Sequence, residues 1–358
     1  MTGPVPKVRC PICQDSFDWT ERDLYRWSRA DKYVPLDLSR VQAPDKRADE
    51  MRTAYRKCPN PSGDTARAHY LPWLYTMYQP AVVVGLVGEH SAGKTHLLSA
   101  MVAQIMDGGL QPYGLAWEPL DHARHDEFTA DFVYPLMAGE KVASTNPDQI
   151  EYVDALLVKG PTGQWPVVFF DIAGEDFRPG SRPARFMLGA SALIFVVDPG
   201  RALGFNGDEV DQSGGHDVAF QAALSRIQGI RKPTRGYVDL PVAVVVSKSD
   251  RLRFQPPADV WMNARGTALG VDPEAVRAES RDVYALLHSH PGARPWLEPF
   301  SVFRRCTLHF ASATGGEPVP QGDRYPRGVR PRRVLEPLVA LFAMTGVIVG
   351  PRVSEVGI

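Results

Sequence analysis

The sequence predicts an α/β fold, a doubly wound and mostly parallel sheet preceded by a small cysteine-bearing N-terminal module. Three observations lead there. Short apolar runs at 81–87, 167–172, 192–197 and 242–246 have the length and β-branched content of strands buried on both faces. Stretches with helical spacing lie between them, and strands alternating with helices imply a parallel sheet. Residues 1–79 differ in composition: they are rich in Arg, Asp, Trp, Tyr and Pro, and hold three of the four cysteines.

The elements follow in order. Strand 81–87 runs into a helix marked by Leu97, Leu98, Met101, Val102 and Ile105. An amphipathic strand at 151–158 precedes the apolar strand 167–172. A helix at 176–188, strand 192–197, helix 216–230, strand 242–246, helix 273–288, a fifth strand at 306–311 and a helix at 333–345 complete the alternation. The apolar run 338–349 is too short to span a bilayer and reads as a closing core helix. Segments 204–215 and 315–331 read as mobile surface loops. The second holds Arg324, Arg327, Arg330, Arg332 and Arg333, expected to be solvated. Two insertions remain, at 107–144 and 251–305. In the first, His122 and His125 with Asp121 and Asp126 read as an exposed loop in preference to a metal site. The expected division is 1–79, 80–350 and a tail at 351–358, with Pro72 and Pro80 flanking the junction.

Composition sets limits. The 358 residues are 44 % hydrophobic and 23 % charged, ordinary for a chain with a sizeable core. A formal net charge of -1 provides no bulk field for nucleic acid or an anionic membrane, so no specific nucleic-acid partner is expected. No apolar run reaches 18 residues and the first ten lack the apolar core of a signal peptide. The expectation is a cytoplasmic protein without integral membrane association.

The first strand is followed by Gly88-Glu89-His90-Ser91-Ala92-Gly93-Lys94-Thr95 and then by a helix. This is G-x-x-x-x-G-K-[ST]. Its glycines let the backbone curl around a phosphate, and its N–H groups with the helix N-terminus form an anion nest. Lys94 would reach the β- and γ-phosphates and Thr95 would offer a hydroxyl to Mg²⁺. Ser91, Ala92 and His96 belong to the same cradle. Strand 167–172 carries Asp171, placed to hold Mg²⁺ through water. It opens the motif Asp171-Ile172-Ala173-Gly174-Glu175, in which the Gly174 N–H could meet the γ-phosphate and Glu175 would sit beside an attacking water. Strand 242–246 runs into Ser247-Lys248-Ser249-Asp250. The Asp250 carboxylate could accept from guanine N1–H and N2–H₂, a donor pair adenine lacks, while the Lys248 stem covers the base. After the fifth strand, backbone N–H groups of Ser312-Ala313-Thr314 could contact the base oxygen.

The order G-x-x-x-x-G-K-T, D-x-x-G, S-K-x-D, S-A-T resembles the small (Ras-like, translation-factor-related) GTPase class of P-loop NTPases over roughly 80–348. The resemblance implies the P-loop fold, binding of GTP and GDP with Mg²⁺, and slow hydrolysis as a molecular switch with protein effectors. The cysteine module fused to such a domain is similar to bacterial double-GTPase-type proteins of conflict or signalling systems. The class also needs a first-switch Thr that ligates Mg²⁺ only with GTP bound. Thr145 fits best, with Ser144 and Thr162 as rivals. Lys94, Glu175 and Thr145 are therefore the expected catalytic groups. Ser247 replaces the usual Asn, which weakens an expected brace on the phosphate loop. Glu175 replaces the usual Gln, and its charge would repel the γ-phosphate, so turnover could be low. Arg178, Arg182 or Arg185 could supply an arginine finger, although a solvated helix face or a partner surface is the favoured reading. A P-loop ATPase, or a nucleotide-binding scaffold with little hydrolysis, are the competing functions.

In the N-terminal module, Cys10-Pro11-Ile12-Cys13 has the tight turn that puts two thiolates on one metal. Cys58 and His69 complete a structural Zn²⁺ set, a zinc-ribbon-like arrangement. A redox pair and plain core cysteines are the alternatives. Cys306, in the fifth strand, reads as core.

Overall fold

The computed structural model describes residues 5–63, 68–89, 91–142, 153–171, 186–203, 218–264, 270–319 and 322–358. Six short strands come first: β1 (Lys7–Arg9), β2 (Ser16–Asp18), β3 (Leu24–Ser28), β4 (Lys32–Pro35), β5 (Ala54–Lys57) and β6 (Tyr70–Pro72). β1 and β2 form a two-stranded ribbon; the other four form an antiparallel sheet in the order β4-β3-β5-β6. Seven more build the main sheet: β7 (Val82–Val87), β8 (Ala116–Pro119), β9 (Asp154–Gly160), β10 (Gly163–Asp171), β11 (Ala192–Val197), β12 (Val242–Val246) and β13 (Cys306–Phe310). Their order is β13-β12-β11-β7-β10-β9-β8. The protein is thus mixed α/β around a mostly parallel seven-stranded sheet.

The five strands from β13 to β10 are parallel. β9 runs antiparallel to both β8 and β10. From β7 the chain turns first toward β10 and later toward β11, its two neighbours. The carboxyl end of β7 is therefore a topological switch point, where such sheets open a crevice. All six residues of β7 are buried, as are those of β11 and all five of β12, which explains why these strands read as continuous apolar runs.

Each face of the sheet has its own core. One face packs Val84, Leu86 and Ile194 under the helices Lys94–Met106 and Glu336–Thr345. The opposite face packs Val87, Leu193 and Val244 under the helix Val218–Ile230. The N-terminal residues Cys10, Cys13, Trp19, Leu71 and Tyr75 belong to that same second core. Trp19 stacks on Trp73 at 5.5 Å, and Tyr55 donates to buried Asp121 at 2.6 Å, linking β5 to the start of the helix His122–Phe128.

Several sequence expectations change here. The insertion 107–144 is not a bare loop: it contributes β8 and the helix His122–Phe128. The stretch expected to be exposed is partly core. Asp121 is fully buried and caps that helix, and His125 Nδ1 meets Asp154 Oδ2 at 3.0 Å. Periodicity missed this because ionisable residues enter a core only in pairs, and the partners come from distant elements. The strand expected at 151–158 is β9, buried along most of its length and so not amphipathic. β10 begins at Gly163, before the expected 167, and makes a hairpin with β9 through residues 161 and 162.

The described parts of the loop 315–331 are hydrogen-bonded to other segments of the chain. Tyr325 N donates to Gly139 O at 2.7 Å, Lys141 N to Asp323 O at 2.6 Å and Arg330 N to Thr314 O at 2.9 Å. Arg333 is not solvated. Its guanidinium meets Glu279 Oε2 at 2.8 Å and lies over Trp261. The expected loop 204–215 and most of the helix expected at 176–188 lie outside the described residues, with Phe186–Gly189 the helical part that is described. The helices expected at 216–230, 273–288 and 333–345 appear as Val218–Ile230, Pro273–Ser289 and Glu336–Thr345. Among the described residues no helix is long and apolar enough to cross a membrane.

β13 is an edge strand, yet its outer polar groups are covered. Cys306 N donates to Gly357 O, Leu308 N to Ser280 Oγ and Phe310 N to Glu279 Oε1. Glu279 also accepts from Arg333 and meets His309 Nδ1 at 2.9 Å. Burial opposes ionisation of Glu279, but the His309 and Arg333 charges and hydrogen bonds outweigh it and hold the carboxyl below its ordinary range. Glu279→Ala should cost about 3–5 kcal/mol in urea unfolding, since it strands two buried partners. Because folding lowers this pKa, the stabilisation is full at neutral pH. It should fade in wild type, and not in the variant, as pH falls below about 4.3.

Candidate functional site

The carboxyl ends of β7, β10, β11, β12 and β13 converge on the loop 88–95. Its path depends on Gly88: a Cβ there would lie 2.2 Å from the Val196 carbonyl oxygen of β11, a clash with rigid backbone. Ser91 (φ 64°) and Gly93 (φ 90°) then take the left-handed region, which turns the chain back into the helix Lys94–Met106. Lys94 is buried and its Nζ donates to Gly88 O at 2.8 Å and Glu89 O at 2.9 Å, so the ammonium lies within the curl of the loop.

Thr95 Oγ1 donates to Asp171 Oδ2 at 2.6 Å, which joins the loop to the end of β10. Ser247, at the end of β12, lies with its hydroxyl 2.7 Å from Ala92 O and 2.9 Å from Val197 O. The brace expected to be weakened by the missing Asn is thus present, made by the shorter side chain because β12 and the loop approach closely. Lys248 sits in the left-handed region (φ 50°) and its Nζ donates to Ser91 O at 2.9 Å and Asp198 Oδ2 at 2.5 Å. Its Cε comes within 3.9 Å of where a Gly93 Cβ would stand, so the stem lies across the loop.

Asp250 Oδ1 accepts from Ser312 Oγ at 2.5 Å, which ties the end of β12 to the end of β13. Ser312 Oγ in turn accepts from Gly315 N at 2.9 Å. The Ser312 amide donates to Arg332 O at 2.9 Å, so of the expected base-contacting amides this one is already engaged and Ala313 is next in line. His96 faces the ring of Tyr325 at 6.4 Å. Burial, with the Lys248 and Lys141 charges, pulls His96 down to about 4, so it is neutral at physiological pH. Burial and then the Asp250 charge push Tyr325 up, which also keeps its hydroxyl protonated.

Of the expected site residues, Gly88, Ser91, Ala92, Gly93, Lys94, Thr95, His96, Asp171, Lys248, Asp250, Ser312 and Ala313 gather along this one edge. Thr145, Ser144, Gly174, Glu175, Arg178, Arg182 and Arg185 lie outside the described residues. Thr162 is described and is placed away from the site: it occupies the exposed β9–β10 turn, at the opposite end of β10 from Asp171. Two residues were missed. Asp198 follows the apolar run 192–197 just as Asp171 and Asp250 end theirs, and that shared position was the available signal. Tyr325 carries no sequence signal, since a pinned loop alone brings it to His96.

The second cluster is N-terminal. Cys10, Cys13, Cys58 and His69 are all buried, with one ligand atom from each lying within 4.8 Å of all the others. Local geometry explains the assembly. Gln14 N donates to Cys10 O, with Gln14 at φ 65°, closing the C-x-x-C turn between β1 and β2. Cys58 N donates to His69 O at 3.0 Å, because the β5–β6 pairing sets those two residues opposite each other. Cys13 Sγ and Cys58 Sγ are 3.6 Å apart. Thiolates at about 2.3 Å from a tetrahedral zinc stand roughly 3.8 Å apart, so the spacing is compatible with that ion. Hydrogen bonds from Cys10, Cys13 and the Asn60 amide draw Cys58 down to about 4, whereas burial raises Cys10. All four cysteines of the chain are free, and the C-x-x-C lies on an antiparallel turn rather than in the βαβ setting of a redox pair. Cys306 is core as expected, its thiol pushed up to about 12 by burial.

No protein-family model matches this chain, and no curated protein matches it. A Cys₃His cluster of this kind should retain one zinc per chain through dialysis, measured by elemental analysis. Cys13→Ser and His69→Ala should each reduce that occupancy, and the serine variant should lower the melting temperature, because a metal held there would contribute folding free energy.

Proposed function

We propose that this protein binds GTP with Mg²⁺ at the carboxyl edge of the main sheet and hydrolyses it slowly, as a P-loop switch. The observation that carries the reading is the gathering of the ends of β7, β10, β12 and β13 at one edge, two of them bonded directly to the loop 88–95. Lys94 lies inside the curl, Thr95 is bonded to Asp171, Ser247 braces Ala92, and Asp250 is oriented by Ser312. A nucleotide needs these groups together: amides and an ammonium for the phosphates, a hydroxyl and carboxylate for the cation, and a separate carboxylate for the base.

In this reading Thr95 and Asp171 would hold Mg²⁺, with Thr145 joining when GTP is bound. When bound, the cation would neutralise charge on the β- and γ-phosphate oxygens. The residues of this chain do the rest. Lys94 would exchange its carbonyl partners for phosphate oxygens, and the loop amides would stabilise negative charge as it develops. Asp250, held by the Ser312 hydroxyl, would accept from guanine N1–H and N2–H₂, with the Ala313 amide at the base oxygen and the Lys248 stem over the ring. Gly174 and Glu175 would face the γ-phosphate. Glu175 supports the competing reading of a nucleotide-binding scaffold with little turnover, because a carboxylate orients water but repels the phosphate. In the N-terminal module, Cys10, Cys13, Cys58 and His69 would hold a structural Zn²⁺. GTP exchange and protein effectors in a bacterial signalling or conflict system fit such a switch.

Titration calorimetry with Mg²⁺ should show GTP and GDP binding more tightly than ATP by at least roughly tenfold, a preference abolished by Asp250→Asn. Equal binding of ATP, unchanged by the substitution, would remove the guanine assignment. Lys94→Ala should weaken both nucleotides.

A further inference from the structure

Asp198 follows the last residue of β11, at the same edge of the sheet as Asp171 and Asp250, and none of the nucleotide contacts assigned above uses it. Its two carboxylate oxygens face different groups. Oδ1 accepts from the Gly200 amide at 2.9 Å and caps the short helix Pro199–Ala202. Oδ2 accepts from the Lys248 ammonium at 2.5 Å. The first contact closes a local turn, whereas the second joins the ends of β11 and β12.

The carboxylate is well anchored. The carbonyl of Val197, the residue before it, accepts from the Ser247 amide and from the Ser247 hydroxyl, both at 2.9 Å. The turn after it is packed: Arg251 Nη1 stands 2.5 Å from where a Gly200 Cβ would be, and Arg251 Nε donates to Glu317 Oε1 at 2.6 Å. The Asp198 side chain is 14 % exposed and that of Lys248 38 %, so the carboxylate is the sheltered partner and the lysine is the one a ligand can touch.

Lysine has a flexible four-carbon stem, and a ligand that must immobilise such a side chain loses affinity. Here the stem is fixed at both ends. The Lys248 backbone sits in the left-handed region, and Nζ is shared between Asp198 Oδ2 and the Ser91 carbonyl. The Ser91 oxygen is a neutral acceptor, so the charge-assisted bond to Asp198 is the stronger of the two.

We propose that Asp198 is a positioning residue for the base: it holds the Lys248 ammonium at the end of β11, so that the lysine stem is laid out in advance to cover a purine ring. The inference rests on the nucleotide reading and adds to it a residue that touches no part of the ligand. Asp198 acts through Lys248, on any base that the stem covers, while the choice of guanine stays with Asp250.

The test separates the two oxygens. Ser and Asn both cap helices well. A serine hydroxyl that caps is too short to hold Lys248 as well, and an asparagine that caps with its oxygen turns its amide donors toward the ammonium. Asp198→Ser and Asp198→Asn, shown folded by circular dichroism, should each bind GDP about three- to tenfold more weakly in calorimetry with Mg²⁺. Both should keep the wild-type ratio of GDP to ADP affinity. Both should lose less affinity for pyrophosphate than for GDP, since pyrophosphate has no ring to cover. In a Lys248→Ala background, Asp198→Ser should have no further effect on GDP, because the contact through which it acts is gone. Unchanged GDP binding in both variants overturns the proposal. So does an equal loss for pyrophosphate, or a loss that persists in the Lys248→Ala background, since either leaves Asp198 a structural role only. A wild-type protein that binds no nucleotide removes the nucleotide reading and this role with it; a wild type that binds GDP no better than the two variants removes the role of Asp198 alone.

Discussion

The site rests on a contact that permits no side chain. Gly88 passes so close to the Val196 carbonyl that a single added carbon would collide with it. That approach lets the chain leave β7 against β11 and then curl back, placing Lys94 and Thr95 over the strand ends. The other site contacts depend on that position. Ser247 can brace Ala92 with a short hydroxyl only because the loop already lies beside β12. Thr95 can reach Asp171 only because β10 is the other neighbour of β7. Lys248 then spans the loop to Asp198 and closes the arrangement. The buried charges here sit in hydrogen-bonded pairs, which is the condition under which a protein interior tolerates them.

The N-terminal module is an integral part of this sheet's packing. Its cysteine cluster shares a core with Val83, Phe170 and Leu193. It occupies the face that the helix Val218–Ile230 leaves open. Met187 and Ala190, in and just after the short helix Phe186–Gly189, lie in the same core. Gln14 of the C-x-x-C turn stands where a Gly189 side chain would project. Arg231 binds the carbonyls of Met187, Leu188 and Ala190 from the other side. The C-x-x-C turn and the chain that follows the D-x-x-G motif are therefore in contact. In a segment with few aliphatic residues, four polarisable ligands on one ion could supply the order that a larger apolar core supplies elsewhere.

Buried ionic networks fix the periphery in the same way. His125–Asp154 and Tyr55–Asp121 join β9 and β5 to one short helix, and Glu279 gathers His309, Arg333 and the Phe310 amide. The second network holds the β13 end from which Ser312 projects, so the orientation of Asp250 depends on residues well outside the motifs.

By itself the sequence determined the alternation of strands and helices in the main sheet and the groups at the strand ends. Fully buried parallel strands must be apolar throughout, and a loop that curls back this tightly into a helix needs its glycines in fixed order. The cysteine pattern was legible for a similar reason, since metal ligands are few and chemically distinct. Tertiary structure alone decided the rest. That Asp121, His125 and Arg333 are buried, and that Tyr325 meets His96, depend on partners far away in the chain. A polar residue becomes core only when a distant group satisfies it, and local periodicity carries no record of that partner.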